Sequence, residues 1–141
     1  MENIVADNSA INEEIKRLER KLRDVKGKRK NTKDAQDNLE EFAIKLDKQA
    51  KEIDRSLNET IKNIESRLAN INPKSRFKDN YLAAAKTKIF NADTNNVLQE
   101  VRDAIRKTNG KILSLDDDIS VYDGKISKLE NEIRLLRQKL K

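Results

Sequence analysis

The residues of this chain best suited to chemistry lie in two opposed charge runs. Lys26-Gly27-Lys28-Arg29-Lys30-Asn31-Thr32-Lys33 is strongly basic, and Asp116, Asp117 and Asp118 form an acidic run. Consecutive carboxylates on a helix point in different directions, so these three cannot close around one cation without ligands from elsewhere. Histidine, cysteine and tryptophan are absent. General acid–base, nucleophilic and metal-assisted catalysis draw mainly on His, Cys or carboxylates converging in a water-poor pocket. The inventory therefore predicts no enzyme, no catalytic residue, no metal site and no cofactor.

What positions these charges is a pair of heptad seams. Leu98, Val101, Ile105, Thr108, Ile112, Leu115, Ile119, Tyr122, Ile126, Leu129, Ile133, Leu136 and Leu140 alternate in steps of three and four without a slip, the pattern of a helix with one narrow buried stripe. In the first half Ile11, Ile15, Leu18, Leu22 and Val25 set a frame that lands on Leu39, Ala43, Leu46, Ala50, Ile53, Leu57, Ile64 and Ile71. Between the seams sits Asn72-Pro73. Proline lacks an amide donor and pushes its predecessor out of helical geometry, so a helix should end there.

The expected fold is all-α: an elongated antiparallel helical hairpin, a coiled coil, turning near Asn72-Pro73. Asn91-Ala92-Asp93-Thr94-Asn95-Asn96 interrupts the second arm, which predicts a break near residues 91–95 and a fresh helix capped by Asp93 or Thr94. The chain reads as a single helical-hairpin domain over 1–141, with residues 1–8 expected to be disordered, a first arm over 9–71 and a second over 77–140. Composition agrees: 40% of residues are charged, 4% are aromatic, and the 141 residues include three glycines and one proline, a profile of long helices rather than of a globular core.

Folding at Asn72-Pro73 sets Arg29 near Asp117, so that Lys28, Arg29 and Lys30 meet Asp116, Asp117 and Asp118. Exposed ion pairs contribute about 0.2–1 kcal/mol each, enough together to disfavour slipped alignments; these six residues are expected to control register. The glycines, Gly27, Gly110 and Gly124, all fall on the outermost position of the frame, where they weaken the helix without touching the seam.

Near the turn the apolar pattern widens beyond the seam, through Phe42, Ile44, Ile61 and Leu68 on the first arm and Leu82, Ile89, Phe90 and Val97 on the second. Phe77, Tyr81, Ala85 and Ile89 form a further stripe in steps of four. Ile61, Leu68, Phe77, Tyr81, Ile89 and Phe90 are accordingly expected to bind a partner's helices, the competing expectation being a small three-helix core within the chain.

The formal net charge of +6 and the cations between Lys74 and Lys88 raise a nucleic-acid-associated rod as a further reading, but a continuous basic face is missing and the aspartates would repel a phosphate backbone. No apolar run is long enough to span a bilayer, and the N-terminal residues lack the regions of a secretory signal; a chain made in the cytoplasm is expected.

The paired long helices, with Asn109-Gly110-Lys111-Ile112-x-x-Leu115 followed by Ile and Leu recurring in steps of three and four from Ile119 to Leu140, resemble the small helical proteins encoded beside LXG toxins of the bacterial type VII secretion system, relatives of the WXG-motif hairpins. The resemblance implies a non-enzymatic partner or targeting adaptor that binds the helical N-terminal domain of a secreted LXG toxin, alone or with a second small helical protein, and is exported in complex with it. Where that family often carries Trp-x-Gly at the turn, this chain has Asn72-Pro73-Lys74. Neither Tyr81 nor Tyr122 is followed at the fourth position by an acid, so the export signal would come from the partner. A self-associating structural coiled coil, a homo-oligomer, is the alternative that the seams predict equally well.

Overall fold

The computed structural model describes the backbone of residues 2–69, 76–90 and 93–140, and side chains over 8–69, 79–89 and 95–140. It is all-α and hairpin-like, with α1 (Glu2–Leu68), α2 (Arg76–Phe90) and α3 (Asp93–Gln138) in chain order. α1 begins at Glu2, ahead of the arm expected from residue 9. Its last turn is closed by the Ala69 amide donating to the Glu65 carbonyl at 3.0 Å. Asn72-Pro73 lies outside the described residues. α2 ends at Phe90 and α3 begins at Asp93, within the stretch expected to interrupt the second arm; Asn91 and Ala92 lie outside the described residues.

Contacts divide the chain into two compact units: residues 1–39 with 111–141, and residues 40–110. In the first, α1 and α3 run antiparallel. Glu19 pairs with Arg137, Lys26 with Glu130 and Arg29 with Asp123, so numbers rise along one helix as they fall along the other. Its core is built from Ile15, Leu18 and Ile133, against which Ile11, Leu22, Leu129, Leu136 and Leu140 pack. Each such aliphatic side chain contributes about 1.5–3 kcal/mol when fully buried, so the stripe outweighs the ion pairs on its flanks.

In the second unit Leu46, Ala50, Leu68 and Leu98 are buried, Leu98 most completely at 2% exposure. The Lys86 ammonium lies 3.4 Å from the Glu65 carboxylate, linking α2 to α1, and Arg102 lies 3.9 Å from Asp54, linking α3 to α1. All members of the α3 seam from Leu98 to Leu140 are buried or half-buried, as is every α1 seam residue from Ile11 to Leu57. Beyond Leu57 the α1 stripe steps by four once more, to Ile61, then runs through Ile64 to Leu68. This extra step is a local departure from the strict heptad; Ile71, the expected end of the seam, lies outside the described residues.

Candidate functional site

Register is set by a polar cluster inside the first unit's seam. The α1 frame passes through Arg29, Thr32 and Gln36, polar residues on the stripe that faces α3. Gln36 is 2% exposed. Its side-chain amide donates to the Ile112 carbonyl at 3.2 Å and to the Asp116 carboxylate, while its oxygen accepts from the Lys33 ammonium at 3.1 Å. A polar group at a core position of a coiled coil is satisfied in one alignment and stranded in others, so it specifies register at a cost in stability. Arg29, also on the seam, donates to Asp123 at 2.5 Å.

This arrangement corrects the expected pairing. Arg29 meets Asp123, not Asp117, a displacement of about six residues, or more than one and a half helical turns. Of the aspartates, Asp116 is engaged, but by Gln36; Asp117 and Asp118 are exposed, as are Lys28 and Lys30. The physical reason is the hierarchy of energies: the alignment that buries the apolar stripe and satisfies Gln36 dominates, and exposed charges accommodate to it. The expected register ignored Gln36 because its neighbours read as a polar gap. Extending the frame through that gap without a skip reaches it.

The residues expected to bind a partner separate into three groups. Leu68 is 5% exposed and belongs to the interior of the second unit, which overturns its assignment to an outer surface; the step to Ile61 turns it inward. Ile61 and Ile89 are half-buried. Of the expected α2 stripe, Ala85 and Ile89 are half-buried, with Leu82 beside them, whereas Tyr81 is 51% exposed. The side chains of Phe77 and Phe90 lie outside the described residues. Three further off-seam residues stay on the surface of the same unit: Phe42 at 49%, Ile44 at 59% and Val97 at 46%.

Glu14 illustrates the electrostatics of the surface: the hydrogen bond from Arg17 holds its carboxyl below the ordinary value, the direction opposite to that of a general acid at neutral pH. Among the described residues no group of His, Cys, Asp or Glu is placed to hold a metal ion, and no helix is long and apolar enough to cross a membrane. A Cβ built on Gly27, Gly110 or Gly124 meets nothing within 4 Å, as the outer position of each glycine requires. No protein-family model, curated protein or solved structure matches the chain.

Proposed function

We propose that this chain is a non-enzymatic docking protein whose second unit receives the helices of another protein. The observation that carries this reading is the placement of Phe42, Ile44, Tyr81 and Val97, all in the second unit and all 46–59% exposed. The chain has only three phenylalanines and two tyrosines, so leaving Phe42 and Tyr81 in solvent forgoes scarce core material. Aromatic side chains of this kind anchor protein interfaces, and an amphipathic helix laid against apolar side chains is the matching mode of recognition.

The resemblance to proteins encoded beside LXG toxins supplies the class of partner: the helical N-terminal domain of a secreted toxin, bound in the cytoplasm and accompanied to the type VII secretion machinery. In this role the chain is a targeting adaptor. Co-expression with the LXG protein encoded beside it, followed by size-exclusion chromatography with light scattering, should give a stable complex. Phe42→Ser with Val97→Ser should abolish it while helicity and melting temperature stay close to wild type, since neither side chain belongs to a buried cluster. A complex that survives the double substitution removes these side chains as the docking surface. The alternative of a self-associating scaffold is favoured by Leu113, Val121 and Leu135 on α3, which are 44–65% exposed in the first unit; an oligomer of the chain alone in the same light-scattering run would select it.

A further inference from the structure

The two flanks of the seam in the first unit follow different charge logic. On one, cations face acids: Glu19 with Arg137 and Lys26 with Glu130. On the other, Lys21 and Lys28 of α1 and Lys125 and Lys128 of α3 line an open groove of about 430 Å³, together with Arg17. Asp24 and Glu132 also line it, and Leu18, Val25 and Leu129 contribute apolar surface. Five cations therefore share the groove with two acids. Arg17 is engaged by Glu14 and drawn also by Glu132, and Lys21 acts on the same Glu14 carboxylate, whereas Lys28, Lys125 and Lys128 have no ion-pair partner among the described residues. The Lys125 ammonium lies 6.0 Å from the centre of the Tyr122 ring, which holds it beside the groove.

Unpaired like charges brought together at a helix interface oppose folding, and departures from local consistency of this sort mark functional sites. We infer that this groove binds a linear phosphate chain of triphosphate size. Its volume lies within the roughly 300–1,000 Å³ typical of small-ligand sites. Lysine ammonium groups act as point charges suited to phosphate oxygens, while the one guanidinium fork that could clasp a carboxylate is already taken by Glu14. Asp24 and Glu132 limit the site to a compact anion, because a nucleic-acid backbone running along the helices would pass both. The site belongs to the first unit and is independent of the docking residues, which lie in the second.

Isothermal titration of the full chain with sodium tripolyphosphate, at ionic strength held constant with sodium chloride, tests the inference. Binding should be saturable, at least tenfold tighter than that of sulfate under the same conditions, and weakened more than tenfold by Lys28→Glu with Lys125→Glu. Lys48→Glu, an exposed change in the second unit, should leave it within twofold of wild type. The single substitution Lys28→Glu supplies an acid to the lysine-lined groove; it should leave the melting temperature unchanged or raised at low salt while weakening binding, which separates loss of the site from loss of the fold. Parallel titration with adenosine triphosphate distinguishes a free phosphate chain from a nucleotide as its source. Tripolyphosphate binding no tighter than sulfate, equal loss on Lys48→Glu, or tighter binding of a single-stranded oligonucleotide through the same lysines would each overturn the proposal.

Discussion

Replacing Gln36 by leucine should leave the stability of the first unit nearly unchanged while loosening its register. The glutamine is 2% exposed and its side chain makes three hydrogen bonds, to the Ile112 carbonyl, to Asp116 and from Lys33. Leucine removes all three, at about 0.5–1.5 kcal/mol net for each bond. None of the former partners is then stranded: Asp116 and Lys33 are exposed and return to water, and the Ile112 carbonyl lies within α3 with its own helical acceptor role. Against this loss of about 1.5–4.5 kcal/mol in all, a net value that already contains the desolvation of the amide, stands burial of a leucine, about 1.5–3 kcal/mol. The balance lies within about 1 kcal/mol of zero. Alanine at the same position loses the hydrogen bonds and leaves a void, and should cost about 2–4 kcal/mol. Urea unfolding followed by circular dichroism measures both, and chemical crosslinking between α1 and α3 reports register, which should become heterogeneous only in the leucine variant. If Gln36→Leu is as destabilising as Gln36→Ala and register stays unique, the amide network is a net source of stability and the reasoning from core-position cost fails.

Gly27→Ala, Gly110→Ala and Gly124→Ala should each add about 0.5–1 kcal/mol, since the new methyl enters open space and the gain is one of helix propensity alone; a lower melting temperature for any of them would show that its outer face is packed. Leu68→Ala should cost about 2–5 kcal/mol as a buried aliphatic truncation, whereas Val97→Ala, at 46% exposure, should change stability by less than about 0.5 kcal/mol. Equal effects of the two in thermal melts would contradict the inward placement of Leu68.

Both seams were legible because apolar residues at steps of three and four leave little choice of face, and the α3 seam is buried or half-buried at every position from Leu98 to Leu140. The frame was less decisive past Leu57: the strict heptad runs through Thr60, Ile64 and Arg67 to Ile71, which lies outside the described residues, while an extra step of four runs through Ile61 and Ile64 to Leu68, all buried or half-buried. Register was misread for a different reason. It rested on matching exposed charges, which are worth little, while the residue that discriminates alignments, Gln36, sat inside a stretch treated as a gap. The off-seam residues near the turn were legible only as a surplus of apolar side chains, and periodicity did not say which stay outside: Leu68 lies inside, while Phe42, Ile44 and Val97 lie on the surface. The lysine groove was invisible to a reading of α1 alone, because Lys125 and Lys128 come to it from the other end of the sequence.

The account of the first unit depends on α1 closing back on α3 within one chain, in the alignment that joins Arg29 to Asp123. In a chain free of cysteine, Arg29→Cys with Asp123→Cys, treated with a short bismaleimide at high dilution, should give an intramolecular crosslink far faster than Arg29→Cys with Asp117→Cys. Faster reaction of the Asp117 pair, or crosslinks found only between chains, would contradict that closure and its register.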